Sequence, residues 1–199
     1  MNSKVSEPLA TDLVVYTPMS RDLEKILQLQ AKRVASLEQI KASPGESSRR
    51  GFLLGGLSRE EMAEAIETQT VLIGDIAGEK VGYVLAYNFE GIYKANMPSK
   101  YNWPTEITRW LGRHKEGVRY IRQIVTDPEA RGMGPELMAA YVAHEGMIGI
   151  DHFLAITMAA PVENQASAKL LRGFGFENGV DMSYQGNIWR FWMREPRSR

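Results

Sequence analysis

The chain contains no cysteine, so disulfides, thiolate metal sites and a cysteine nucleophile are excluded by count. Net charge is absent as well, since 24 basic residues balance 24 acidic ones. A strongly basic chain would point to nucleic acid or to an anionic membrane surface, and neither partner is expected here. No apolar run approaches the ~18 residues of a membrane-spanning helix, and the opening MNSKVSEPLATD lacks the apolar core of a secretory signal. A cytoplasmic location is the expectation. Internal repeats and low-complexity segments are missing too. What is present is an ordinary globular balance, 44% apolar and 24% charged over 199 residues. That suffices for one domain with a sizeable core and is short for two. We expect a single domain over residues 1–199, ordered between Asp12 and Met193, with frayed ends.

Local patterns divide the chain. DLVVY suits a first strand, and Ser20 is placed to cap a helix with Leu23, Ile26, Leu27, Ala31 and Val34 on one face. Ser36 to Leu57, rich in Ser, Gly and Arg, reads as a long loop. Ser58 and Glu61 have capping-box spacing and open a second helix. Thr70–Ile76 and Val81–Tyr87 read as a hairpin closed by a type II′ turn at Gly78-Glu79. The aromatic and charged insert from Asn88 to Gly117 is long for a plain connection and holds one short helix after Pro104. Tyr120–Val125 then reads as a strand, with a helix from about Gly132, a strand HFLAITM, a helix NQASAKLLRGF and a last strand near NIWRFWM. The order is β α α β β β α β α β, an α/β fold with a mixed sheet between helices.

Chemistry concentrates in YIRQIVTDPEARGMGPELM, Tyr120 to Met138. A Gly-Met-Gly turn stands where a strand gives way to a helix. The first amides of a helix lack internal partners and the macrodipole makes that end positive, so it draws anionic oxygens; glycine removes the Cβ that would keep them away. Pro135 in the first turn has no amide to lose, and Arg131 adds a cation suited to phosphate. A dinucleotide fold would require glycine where Leu137 stands, and no Lys-Ser/Thr pair follows as in a P-loop.

This segment resembles the acyl-CoA-binding signature of the GNAT superfamily of N-acyltransferases, in which a Gln/Arg-x-x-Gly-x-Gly/Ala turn receives the pyrophosphate of coenzyme A. Ile124 and Val125 match the strand's end, Arg131, Gly132, Met133 and Gly134 the turn, with Pro135 following and Leu137 and Met138 as the first core residues of the helix. Glu129 stands where the family has Gln or Arg. Downstream, PVENQASAKLLRGFGF resembles the family's next strand-loop-helix, with Asn164 and Ser167 matching cofactor-binding positions, the asparagine at the cofactor's pantetheine side, and Gly175-Phe176 closing the helix. Leu171 replaces the tyrosine that in many members protonates the leaving thiolate. The similarity in element order runs from Asp12 to Met193.

The resemblance implies a mostly antiparallel central sheet, acetyl-CoA or another acyl-CoA as co-substrate, and transfer of the acyl group to an amine-bearing acceptor, a small molecule rather than a protein. Without cysteine, direct transfer through a ternary complex is expected. Tyr120 is the candidate proton relay on the fourth strand, with Glu116 in reserve, and packing beneath the insert is its bland alternative. No metal site is expected, and a homodimer stays open. His144 and His152 read as surface or capping residues, Trp189 and Trp192 as packing, and Trp103 and Trp110 as cleft lining or a subunit contact. Two other readings stand beside the enzyme. One is an acyl-CoA sensor of GNAT fold, to which Glu129 and Leu171 point, and the other is an interaction protein using the aromatic insert.

Overall fold

A computed structural model describes residues 12–68, 70–130 and 132–196. Seven strands form one sheet: β1 (Leu13–Tyr16), β2 (Val71–Ile76), β3 (Glu79–Tyr87), β4 (Val118–Thr126), β5 (His152–Ala160), β6 (Glu177–Tyr184) and β7 (Asn187–Arg194). Their spatial order is β1-β2-β3-β4-β5-β7-β6. Every neighbouring pair is antiparallel except β4 and β5, which run parallel. Among the helices, α1 (Leu23–Ala31) and α4 (Arg59–Glu67) cover one face, while α8 (Met133–Met147) and α9 (Gln165–Gly173) cover the other.

Local chemistry explains most of these elements. Ser58 accepts from the Glu61 amide while the Glu61 carboxylate takes the Ser58 amide, so the expected capping box opens α4. Ser20, by contrast, does not cap α1. It begins a 3-10 turn, Ser20–Asp22, in which Asp22 accepts from the Met19 amide. On α1 the inward face is carried by Ile26, Leu29 and Gln30, while Val34 lies beyond the helix and is exposed. The expected long loop holds two helices, α2 (Leu37–Ala42) and α3 (Pro44–Arg50). Ser36 and Gln39 cap the first reciprocally, and Pro44 sits at the start of the second, where its missing amide costs nothing.

The hairpin between β2 and β3 forms in the expected pairing, but Ile76 faces Glu79, so the turn residues are Ala77 and Gly78. Both have positive φ, 52° and 89°, which is a type I′ turn rather than II′. The insert holds three helices, α5 (Phe89–Lys94), α6 (Met97–Lys100) and α7 (Thr105–Arg113), where one was expected. Their apolar faces pack Ile92, Trp103, Ile107 and Leu111 against the sheet beneath β4 and β5. The C-terminal part contributes two strands, not one, because β6 pairs with β7 at the sheet edge.

Glycine sets how closely α8 approaches. A Cβ at Gly74 would come within 2.9 Å of Leu137 Cδ1, and one at Gly82 would meet Leu137 Cδ2 at 3.0 Å and run into the Val125 carbonyl oxygen. Leu137, fully buried, therefore occupies space that side chains on β2 and β3 would fill. The start of α8 is thereby fixed next to the end of β4.

Candidate functional site

The sheet opens between β4 and β5. Parallel pairing runs from Val118 opposite His152 to Ile121 opposite Ala155 and then stops. At that point β4 carries a bulge, since Ile121 pairs with Ala86 and Gln123 with Leu85, leaving Arg122 as the extra residue. A bulge bends its strand and increases its twist, and β4 continues along β3 while β5 continues along β7. Two strand edges with backbone groups unpaired between them form the floor of a cleft of about 1170 Å³.

The walls come from parts of the chain far apart in sequence. On one side stand the start of α8 and the face of α9. Gly132 precedes α8 with φ of 83°, a left-handed conformation that a Cβ makes costly. Met133 donates its amide to the Ala130 carbonyl at 3.4 Å, and Pro135 has none. Among the described residues the amides of Gly132 and Gly134 have no partner, and they are the open donors of the first turn. On the other side, the segment after α3 is held over the cleft by side chains that reach backbone. Gln30 clamps Leu57 through two 2.9 Å hydrogen bonds. Arg33 donates to the carbonyls of Thr126, at 3.0 Å, and Arg50, at 3.1 Å. Ser48 donates to the Glu163 carbonyl, and Asn164 to that of Phe52. The far end is closed by the α6 segment, with Lys100, Tyr101 and Trp103, and by the β6–β7 turn.

Of the residues singled out in the sequence, Tyr120, Ile124, Gly132, Gly134, Pro135, Asn164 and Ser167 line this one cleft. Others do not. Val125 is 1% exposed and packs with α1 and α4 on the opposite side of β4, because the bulge resets the alternation of the strand. Met133 is buried in the protein, leaving no side chain for the turn. Glu129 is exposed and lies outside the cleft lining, its amide donating to Asp127, whose carboxylate pairs with Lys32 at 2.6 Å. Arg131 lies outside the described residues. Asn164 is committed to the fold: its carbonyl oxygen caps α9 through the Ser167 amide at 3.2 Å, and its amide group holds Phe52.

Tyr120 is 8% exposed and packs edge-on against Trp103, with ring centroids 5.3 Å apart. Burial pushes its phenol well above the usual tyrosine range. Among the described residues its hydroxyl makes no protein hydrogen bond. Leu171, on the inward face of α9, is buried in the core and also borders the cleft. His152 and His114 stack 3.8 Å apart outside the cleft, and Trp110 donates to Glu195, so neither histidine nor Trp110 belongs to the site, whereas Trp103 does.

Sequence reading missed the cleft's electrostatics. Its lining carries Arg33, Arg49, Arg50, Lys100, Arg122 and Lys169 and, among the described residues, not one carboxylate. In a chain of zero formal charge this is a strong segregation. Arg49 and Arg50 stand together before Gly51-Phe52 and read in the sequence as a basic loop that could bind a carboxylate or be merely solvated; the other four are scattered along the chain, and only folding brings all six together. A low-dielectric cleft focuses such a field toward anionic ligands.

No family model matches the sequence. No curated protein matches it either. Solved structures do match in shape. Ard1 from Thermoplasma volcanium superposes with a TM-score of 0.60 at 11% identity, covering 92% of this chain and 97% of that one. The loading GNATL domain of CurA from Lyngbya majuscula gives 0.62 at 14%, with 92% and 97% covered. An N-acetyltransferase from Staphylococcus aureus Mu50 gives 0.59 at 14%, with 93% and 99% covered. The mixed seven-stranded sheet, parallel only where it splits, has the fold of the GNAT acetyltransferases.

Proposed function

We propose that the protein is an acyl-CoA-dependent N-acyltransferase that passes an acetyl or other acyl group directly to a primary amine. The observation that carries this reading is the cleft itself: a split sheet whose walls hold six cations, no described carboxylate, and a glycine-bounded helix start. These residues fit a polyphosphate ligand. The amides of Gly132 and Gly134 suit the pyrophosphate. Arg33, Arg49, Arg50 and Lys169 supply countercharge along the walls. The unpaired strand edges suit the amides of a pantetheine arm, and the second amide hydrogen of Asn164 is a further donor.

When bound, acyl-CoA supplies an activated thioester carbonyl. The chain must position the amine and remove its proton. A lysine-like amine with a pKa near 10.4 is short of its neutral form at pH 7 by about 4.6 kcal/mol. Tyr120 cannot serve as an ionised base, because burial holds its phenol neutral. A neutral phenol still orders a water that accepts the proton, and this is the role we assign it. Nothing at Leu171 can protonate a departing thiolate. With a pKa near 8.5 on the cysteine scale, a thiolate leaves without full protonation, and the missing acid costs at most about 10²–10⁴-fold.

The test is release of free thiol from acetyl-CoA with a panel of amino acids, polyamines, aminoglycosides and peptides. Acceptor-dependent release with intersecting initial-rate lines is expected. Parallel lines, or an acylated protein competent to pass its acyl group on, would contradict direct transfer. Acetyl-CoA binding with no release by any acceptor would favour the sensor reading.

A further inference from the structure

Four of the cleft's six cations lie along the α3 and α8–α9 walls or beside the end of β4, where phosphates would sit. Two do not. Arg122 occupies the bulge where β4 and β5 part, and Lys100 ends α6 across the same end of the cleft. Among the described residues Arg122 has no carboxylate partner. Its guanidinium donates to the Tyr87 hydroxyl at 3.2 Å and lies 5.9 Å from the centre of that ring. The charged and titratable groups that face it are tyrosines 83, 87, 101 and 120. A partly buried guanidinium whose neighbours are phenols retains unused donors in a fork that matches a carboxylate.

A second observation converges on the same end. Trp103 is 6% exposed and lines the cleft, yet its indole nitrogen is buried without a hydrogen-bond partner among the described residues. Trp189, also in the lining, is in the same condition. Buried donors normally have partners, and the charged side chains at this end, Arg122 and Lys100, are both cations. The site asks for an acceptor of hydrogen bonds with negative charge. A polyamine, an aminoglycoside or a lysine-rich peptide brings the opposite charge and would face Arg122 and Lys100 at close quarters.

Resting on the functional reading above, we infer that the amine acceptor is a small amino-carboxylate whose carboxylate is held by Arg122, with Lys100 adding countercharge. The aromatic walls, where Tyr101 meets Tyr184 edge-on at 5.3 Å, enclose its side chain.

The experiment compares matched pairs. Thiol release from acetyl-CoA is measured with the protein L-amino acids, with their α-carboxamides, and with putrescine and spermidine. Binding of N-acetyl-L-amino acids and their amides to the CoA-loaded protein is followed by calorimetry, so that a slow acceptor still registers. At least one acid should surpass its amide by roughly 10- to 100-fold in kcat/KM or affinity, the value of a hydrogen bond to a charged group. Arg122→Gln should erase that preference, Arg122→Lys should keep part of it, and acetyl-CoA affinity should be unchanged in both. Amides or polyamines used as well as the acids, a preference that survives Arg122→Gln, or no carboxylate active in either assay would overturn the inference while leaving acyl transfer intact. Succinyl-CoA preferred over acetyl-CoA in an Arg122-dependent way would place the charge on the acyl group and also overturn it. Failure of acetyl-CoA itself to bind would remove the functional reading beneath it.

Discussion

Tyr120 shows how one side chain is set by its neighbours. Trp103 closes on one edge of its ring, and the strand holds its hydroxyl at the cleft with no protein partner among the described residues. Since burial keeps the phenol neutral, no break in the rate profile below about pH 10 should belong to it. Replacing Tyr120 with Phe should lower the acceptor-saturated rate roughly 10²-fold while acetyl-CoA affinity holds. The loss should shrink as pH nears the pKa of the acceptor, because neutral amine then arrives from solvent. A Phe variant with unchanged rates across that range would assign Tyr120 to packing. At this scale the sequence disclosed the groups whose role is local. Gly132 and Gly134 were legible because a helix start leaves its own amides open. Arg33 and Arg122 were not, because what makes them notable is the company brought by distant segments.

Among the elements, the pairing of α8 with β2 and β3 places the site. Leu137 lies where Gly74 and Gly82 leave room. Gly82→Ala would press a methyl against the Val125 carbonyl, so either the strand or α8 must shift. We expect a destabilisation of about 1–3 kcal/mol in chemical denaturation, the cost of overpacking, together with weaker acetyl-CoA binding as the helix start moves. Full stability would show that the contact yields freely. Elements with end signals of their own, such as α4 with Ser58 and Glu61, could be read directly. The pair α2 and α3 could not, since helices of 6 and 7 residues show too few periodic positions. Strand β6 was missed because it is an edge strand with only Met182 buried, and Gly179 and Asp181 break its apolar alternation.

Across the whole molecule, charge and burial each have a consequence that no single element shows. Tyr83, Tyr120 and Tyr141 all have phenols raised by burial above their ordinary value. Because the folded pKa exceeds the unfolded one, their contribution to stability is complete below about pH 10 and falls as pH rises beyond it. Each contributes a slope of about 1.4 kcal/mol per pH unit, so the three together should produce a steep alkaline unfolding transition. Denaturation midpoints that stay flat from pH 9 to 12 would contradict that burial. The segregation of cations into one cleft underlies the proposal that the split sheet receives a polyphosphate acyl donor at the start of α8. Position 134 tests it most directly. Among the described residues a Cβ there meets only Leu170 Cδ2, at an ordinary 4.0 Å, so Gly134→Glu should leave the fold undisturbed while directing a carboxylate at the proposed phosphate site. Calorimetric titration with acetyl-CoA should give saturable binding to the unaltered protein and a loss of more than tenfold, above about 1.4 kcal/mol, in the variant. Equal affinity in a folded Gly134→Glu protein, or no binding by either, would contradict the account.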